Sequence, residues 1–255
     1  MNPASSPQPS PSPDDYFAQL KVLIDRLPEQ PVRQAATLVG RALDRGGVIQ
    51  AFGSGHSEAI AMEIAGRAGG LVPTNRLALR DIHLYGKADR TELDRYDLER
   101  DPAVAHQILA AAPIDPADLF VVISNSGVNG VVVELATQVK ERGHDLIAIT
   151  SLQHAGASVS RHPSGLKLCD LADVVLDNLA PYGDALLPLP GGGATGAVST
   201  VTSALLAQLV VTQVISDQVD AGQVPPIYLS ANVPEGDEHN LRLEARYAGR
   251  LRRGA

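Results

Sequence analysis

The alternation of short apolar runs with helical segments constrains the fold of this chain more than any other feature of its sequence. One run, "DLFVVIS", leads through a polar turn into the helical segment "VVVELATQVKERG". Strands that alternate with helices of about 10 to 15 residues are typical of parallel βαβ units. The sequence therefore predicts an α/β fold with a doubly wound, mainly parallel five-stranded sheet flanked by helices. The predicted strands are the apolar parts of "GGVIQAF", "LVPTNRL", "DLFVVIS", "HDLIAIT" and "LADVVLDN".

The predicted organisation is one domain preceded by a short tail. Residues 1–13, "MNPASSPQPSPSP", are rich in Pro and Ser and are predicted to be disordered, because such a composition cannot form a core. They also lack the basic and apolar regions of a secretory signal. Residues 14–255 are predicted to form a single domain, with amphipathic helices at 14–45, the sheet core at 46–220 and a C-terminal tail or helix at 221–255.

Composition argues against several classes of function. The formal net charge is −8 and aromatic residues make up 4% of the chain, so general binding of nucleic acid, which needs a basic surface, is not expected. No apolar run reaches the ~20 residues of a membrane span, and a single cysteine, Cys169, excludes an internal disulfide. These features predict a cytoplasmic protein with a small-molecule ligand and no nucleic-acid or membrane partner.

Two strand-to-helix turns carry the residues that point to chemistry. The first turn, at 53–57, follows "VIQAF", and the second, at 124–129, follows "LFVVI". Each places small hydroxyl residues and glycine where a helix begins, so that backbone N–H groups and the positive end of the helix dipole face a ligand. We predict a shared phosphate site formed by Gly53, Ser54, Gly55, His56, Ser57, Ser124, Asn125, Ser126, Gly127 and Asn129.

Helix capping is the alternative interpretation of these turns, since Ser and Asn often cap the helix that follows them. Two turns with more hydroxyls than a cap uses favour a phosphate. Neither turn contains the Lys of a Walker A motif, and "GSGHSE" has Glu58 where a dinucleotide fingerprint requires its third glycine. The predicted ligand is therefore a monophosphate ester and not a nucleotide polyphosphate.

Three segments resemble the sugar isomerase (SIS) domain family. "ISNSGVN" is similar to the S-x-S-G-x-T loop of these domains, and "FGSGHS" is similar to their G-x-G-x-S turn. "GAVSTVTSALLAQL" resembles a helix start in the isomerase half of glucosamine-6-phosphate synthase. The resemblance extends over residues 47–220 in the expected order, and it is greatest to short, stand-alone bacterial proteins of the phosphosugar isomerase branch.

This resemblance implies a flavodoxin-like or Rossmann-like SIS fold and a site at the two turns. Asn129 stands where the family usually has Thr, and its amide can still donate a hydrogen bond. The implied phosphate ligands are Ser57, Ser124, Ser126 and Asn129, and the residues implied near the sugar are Ser199 and Thr200.

Glu63 and His239 are the predicted catalytic residues. "EIAGR" resembles the E-L-T-G-R of sedoheptulose-7-phosphate isomerases, which implies that Glu63 is the base that moves a proton between C1 and C2. The alternative is an ordinary i,i+4 ion pair with Arg67. Those enzymes have a zinc-binding His where this chain has Ala59, so no metal and no organic cofactor is predicted. His239, by resemblance to other SIS enzymes, would open the sugar ring or carry a proton, and the alternative is a solvated surface histidine.

Two further segments are expected at the site. Residues 78–100 lack periodicity and are dense in charge, so they are predicted to cover the site, with His83 and Glu99 as weaker candidates. The glycine-rich segment "LPLPGGGATG" is predicted to form a flexible rim. The remaining histidines are interpreted as structural or exposed, namely His106, His144, His154 and His162.

The leading hypothesis for function is a phosphosugar isomerase that acts on a hexose or aminohexose phosphate through an enediol. One alternative is a lyase that removes lactate from N-acetylmuramic acid 6-phosphate, and another is a non-catalytic sugar-phosphate sensor. The apolar helix that begins near Ser199 has more hydrophobic face than one sheet layer covers. We therefore expect a homodimer or a higher homo-oligomer, with the site near the interface.

Overall fold

The first helix begins almost where the sequence predicts. The computed structural model describes residues 10–253, so most of the predicted disordered tail lies outside the described residues. Helix α1 spans Pro13–Ile24, and Ser12 forms a capping box with Asp15, in which the Ser12 hydroxyl accepts from the Asp15 N–H. Pro13 suits the first helical position because its missing N–H would have no partner there.

A five-stranded parallel sheet forms the centre of the fold, as the sequence predicts. Its strand order is β2-β1-β3-β4-β5, with every neighbouring pair parallel. The chain leaves β1 toward β2 and later returns to the other side of β1 as β3. Ligands of such sheets bind where the strand order reverses, at the carboxyl ends of the strands. The strands are β1 Ile49–Gly53, β2 Thr74–Leu77, β3 Leu119–Ile123, β4 Asp145–Thr150 and β5 Val174–Asp177.

Helices cover both faces of this sheet. One buried apolar cluster joins α2, α3 and α9 to alternate strand residues such as Ile49 and Ala51, and a second joins α5 and α6 to the opposite set, such as Phe120 and Val122. The short helices α7 and α8 were not predicted from the sequence. The helices after α1 are α2 Glu29–Asp44, α3 Glu58–Ile64, α4 Asp81–Leu84, α5 Ala103–Ala111, α6 Gly130–Glu141, α7 Leu152–Ala157, α8 Leu168–Leu171, α9 Ser199–Asp220 and α10 Gly236–Glu244.

The predicted glycine-rich rim is mostly a β-hairpin. Strands β6, Ala185–Pro188, and β7, Ala194–Ala197, pair antiparallel, and consecutive glycines with positive φ make the turn between them. The Tyr16 hydroxyl of α1 donates to the Ala197 carbonyl at 2.8 Å. The hairpin therefore links the first helix to the start of α9.

Helix α9 is the long apolar helix that the sequence predicts near Ser199. It has 22 residues, and a window within it has a mean hydropathy of 1.4, so by length and composition alone it could cross a membrane. One face, which includes Leu206, Val210 and Val214, lies in the main apolar cluster together with α2 and α3. The helix is therefore buried along one face, and 33% of that window is buried in the described chain.

At the amino ends of the central strands, a buried carboxylate side chain connects several parts of the fold. Asp118 accepts hydrogen bonds from the Val48 N–H and the Gln50 side chain, each at 2.8 Å, and pairs with Arg250 near the C-terminus. Asn75 of β2 donates to the Arg250 carbonyl at 2.8 Å. These contacts fasten the C-terminal segment to the strands β1, β2 and β3.

Candidate functional site

The two predicted turns lie side by side and form one open cleft of about 890 Å³. They follow β1 and β3, the two strands between which the strand order reverses, so the fold itself brings them together. Gly53 and Gly127 shape the backbone of the turns. The predicted residues that line the cleft are Ser54, Gly55, His56, Ser57, Ser124, Asn125, Ser126 and Asn129.

Glycine is required at two positions of these turns. Gly53 ends β1 so close to the Ser57 carbonyl that a β-carbon would overlap it, and Gly127 has a φ of +63°. The Ser124 hydroxyl accepts from the Gly127 N–H at 3.1 Å, which closes the second turn. A larger side chain at either glycine would therefore disturb the backbone of its turn.

The turn residues do not cap the helices that follow. Within residues 10–253, neither Ser57, which precedes α3, nor Asn129, which precedes α6, makes a side-chain capping hydrogen bond. The capping interpretation of the two turns would require such bonds. The Ser57 hydroxyl therefore stays available to the cleft, and the Asn129 side chain bonds to other residues of the cleft instead of capping α6.

We expect Gly53→Ala to disrupt the site. The added methyl group must displace the Ser57 carbonyl, which should move the first turn and lower the free energy of unfolding by about 1–3 kcal/mol. Denaturant unfolding measures this change. Gly40→Ala is the matched control, because Gly40 lies inside α2 with open space around it and alanine should stabilise that helix by up to about 1 kcal/mol. Equal stability of the Gly53→Ala variant and the natural protein would contradict this account of the turn.

Glu99 lies between the two turns, although the sequence ranked it as a weaker candidate. Its Oε2 accepts from the Asn129 amide at 3.2 Å, and its Oε1 lies 3.1 Å from where a β-carbon on Gly55 would stand. The neighbouring Leu98 is buried and anchors this part of the 78–100 segment on the sheet. Glu99 is the one residue of the 78–100 segment in the lining of the cleft, so the segment contributes a carboxylate to the site, and its predicted role as a cover stays a prediction.

Arg161, His154 and Tyr182 line the cleft and were missed by the sequence analysis. The Arg161 guanidinium donates to the Asn129 side-chain oxygen at 2.8 Å, so a permanent positive charge stands at the second turn. The His154 ring lies 5.0 Å from the Tyr182 ring and 3.4 Å from the Asn125 amide. The topology could have indicated these three residues in advance. The carboxyl ends of β4 and β5 also lie at this side of the sheet, so the residues that follow these strands could reach the cleft.

Ser199 and Thr200 lie behind the floor of the cleft. They border a small cavity of about 10 Å³ that shares Ser57 and Asn125 with the cleft. The Ser199 hydroxyl donates to the Asp184 carboxylate at 2.8 Å and is already used there. The position predicted for these residues, beside the sugar, stays a prediction.

Glu63 and His239 do not line the cleft of the described chain, and their predicted catalytic role stays a prediction. Glu63 lies about 9 Å from Ser57 along the axis of α3. Its carboxylate pairs with Arg67 and accepts a hydrogen bond from the Gln208 side chain at 2.7 Å. This is the ion-pair alternative. The Nε2 atom of His239 lies 3.0 Å from the Ile227 carbonyl, on the far side of the fold. Both positions depend on tertiary packing that a short motif does not specify.

A parallel sheet with a hydroxyl-lined cleft at the point where its strand order reverses is the arrangement of a sugar isomerase (SIS) type of protein. The SIS domain family model matches residues 15–151, and the chain belongs to this family, which confirms the resemblance. Among its members the chain belongs to the UPF0309 proteins. It is 35% identical over 238 residues to a UPF0309 protein of Listeria monocytogenes, covering 93% of this chain and 96% of that one. It is 37% identical over 221 residues to one of Geobacillus kaustophilus, covering 86% of each.

Solved structures share the fold. A phosphoheptose isomerase from Neisseria gonorrhoeae has a TM-score of 0.51 at 22% identity, and one from Francisella tularensis has 0.52 at 20% identity. Each match covers 80% of this chain and 96% of the other chain. These likenesses confirm the α/β architecture.

Proposed function

We propose that the protein binds a sugar phosphate in this cleft and interconverts its aldose and ketose forms. The observation that carries the proposal is the position of Glu99, whose carboxylate lies between two hydroxyl-lined turns. The turns supply the groups that bind a phosphate, and the carboxylate supplies a base. Membership of the SIS family supports the same ligand class.

Phosphate recognition rests on the second turn and its neighbours. Ser124, Ser126 and Asn129 bring hydroxyl and amide donors to the start of α6, where unpaired N–H groups add a partial positive charge. Arg161 adds a full positive charge on the same side. A charge-assisted contact of this kind is stronger than a neutral hydrogen bond.

Proton transfer rests on Glu99. In the proposed reaction, the carboxylate removes the proton from C2 of the aldose while the C1 oxygen gains a proton, and an enediol forms. The O2 hydroxyl then loses its proton and the carboxylic acid returns a proton to C1, which gives the ketose. His56 and His154 also line the cleft and are placed to exchange protons with the sugar oxygens.

A thermal-shift screen followed by NMR tests the proposal. Hexose and aminohexose 6-phosphates should raise the melting temperature, whereas the unphosphorylated sugars should not. Incubation of the best ligand in deuterated water should place deuterium at C2, as enediol exchange requires. Release of lactate from N-acetylmuramic acid 6-phosphate would instead support the lyase. Failure of every sugar phosphate to bind would refute the proposal.

We expect Arg161→Gln to weaken sugar-phosphate binding about tenfold, because one charge-assisted contact is lost. Isothermal titration calorimetry with the best ligand of the screen measures this loss. Arg142→Gln is the control, because Arg142 follows α6 at the end of the helix away from the cleft and its loss changes the net charge equally. Equal weakening by both variants would mean that only net charge matters and would remove Arg161 from the site.

A sugar-phosphate sensor is the second candidate function. The observation that favours it is the place of Glu63 and His239, since neither predicted catalytic side chain lines the cleft. A sensor would bind a sugar phosphate without exchanging deuterium into it. Binding without exchange at C1 or C2 would therefore select the sensor over the isomerase.

The homodimer and the cytoplasmic location stay predictions. All 12 residues of α1 keep some exposure in the described chain, and Phe17 is 68% exposed. The exposed side of α9 adds Val201 and Leu209. Apolar faces of this kind support self-association, and light scattering of the purified protein would measure it.

A further inference from the structure

A second pocket lies at the β2 edge of the sheet, beside the end of α3 that points away from the cleft. Its volume is about 430 Å³, within the ~300–1,000 Å³ typical of small-molecule sites. Met62 of α3, Arg76 of β2 and Tyr85 contribute to its walls, and Arg252 closes it from the C-terminal segment. None of the residues that line the cleft lines this pocket.

Arg76 lacks hydrogen-bond partners in this pocket. Its side chain is 17% exposed, and its Nε atom is fully enclosed without a hydrogen-bond partner in the part of the chain that the structure describes. The nearest carboxylate oxygen, Glu58 Oε1, is 3.8 Å from Nε and lies closer to Arg80, at 2.6 Å. The Arg76–Glu58 contact is an ion pair without a hydrogen bond, although buried polar groups in native proteins are nearly always hydrogen-bonded, so the guanidinium at this cavity wall still has donors for an acceptor.

The charges around the pocket leave an excess of one cation. Two arginines, Arg76 and Arg80, share the single carboxylate of Glu58. The other two arginines there are matched one to one, with Arg252 next to Asp81 at 3.4 Å and Arg253 next to Glu244 at 3.2 Å. One bound anion would balance the group.

The other walls suit an anion that carries a small organic body. The Arg252 guanidinium stacks on the Tyr85 ring at 3.9 Å, and burial lowers the pKa of Arg252, while the nearby Asp81 carboxylate opposes this shift. Met62 is 53% exposed and gives an apolar wall. A ligand with an oxyanion at one end and a small organic group at the other would contact both the arginine side chains and the apolar wall.

We propose that this pocket is a second binding site, which takes the phosphate or carboxylate group of a small metabolite on the Arg76 guanidinium. The site is separate from the sugar-phosphate cleft and lies at the opposite end of α3 from Ser57. The proposed function does not depend on it.

NMR titration of the full-length protein with inorganic phosphate and, separately, with acetate tests this site. The Nε–H resonance of Arg76 and the amide of Gly66 report on the pocket, and the amides of Gly55 and Ser126 report on the cleft. We expect the pocket signals to shift and saturate with at least one probe. Arg76→Gln should abolish that saturation and leave the shifts of the cleft amides unchanged. Arg76→Lys keeps the charge and should retain partial binding if the glutamine variant fails to fold.

The two proposals can fail separately. Pocket signals that do not saturate with either probe, or that saturate equally in Arg76→Gln, would overturn the second site even if the cleft amides respond. If the pocket signals saturate and the cleft amides do not respond, the result would support the second site and count against phosphate binding in the cleft. Arg161→Gln should change only the cleft titration.

Discussion

Glu99→Gln is expected to reduce turnover about 10²- to 10⁴-fold, the usual contribution of a general base. Glutamine keeps the size of the side chain, and its oxygen can still accept from the Asn129 amide, which is 3.2 Å from the carboxylate. The geometry of the cleft should therefore survive while the base is lost. Deuterium exchange at C2 and the rate of isomerisation measure the loss, and calorimetry should show sugar-phosphate binding within a few-fold of the natural protein.

Glu92→Gln is the matched control for this variant. Glu92 lies in the same 78–100 segment, and its carboxylate pairs with Arg95 at 3.3 Å, on the surface. It makes no contact with the cleft, so turnover should be unchanged. If Glu99→Gln retained full activity, the base would have to be another group, and the proposed mechanism would be wrong. If it lost binding and turnover together, Glu99 would be a ligand-binding residue only.

Asp118→Ala is expected to lower the free energy of unfolding by about 3–5 kcal/mol, the usual cost of removing one partner of a buried ion pair. The side chain of Asp118 is completely buried and pairs with Arg250. The substitution also leaves the Val48 N–H and the Gln50 amide without their acceptor. In a chain of this size the melting temperature should fall by about 6–20 °C.

Asp94→Ala provides the control. Asp94 pairs with Arg90 at 2.8 Å, but its side chain is 68% exposed, so its loss should cost less than about 1 kcal/mol. Arg250→Ala and the Asp118→Ala/Arg250→Ala double variant complete a thermodynamic cycle. The double variant should be less destabilised than the sum of the two single variants, because the two residues interact. Additive effects would mean that the Asp118–Arg250 contact contributes little.

The fold and the location of the cleft could be predicted from the sequence. The periodicities that indicate strands and helices are local in sequence. Strands that alternate with helices can be connected into a parallel sheet in only a few ways, so the order of these elements predicted the five-stranded sheet. The turns at Ser57 and Ser126 follow two of the strands directly, and the carboxyl ends of parallel strands share one edge. Their meeting is therefore a consequence of topology.

The place of the proposed base, Glu99, could not be predicted in this way. The motif around Glu63 resembles a catalytic motif, but the side chain faces α9 and pairs with Arg67 and Gln208. Glu99 lies in a segment without periodicity, and its carboxylate reaches the cleft because Leu98 is anchored in the core. The direction in which a side chain points depends on tertiary packing, and it has no signature in the local sequence.

The sequence by itself determined the order of strands and helices along the chain and the two hydroxyl-lined turns, because each depends on residues that are close along the chain. Only the tertiary structure decided which charged side chains meet. Asp118 and Arg250 are 132 residues apart, and Asn129 and Arg161 are 32 apart. Long-range pairs of this kind depend on how the elements pack in three dimensions, and packing combines small contributions from the whole chain.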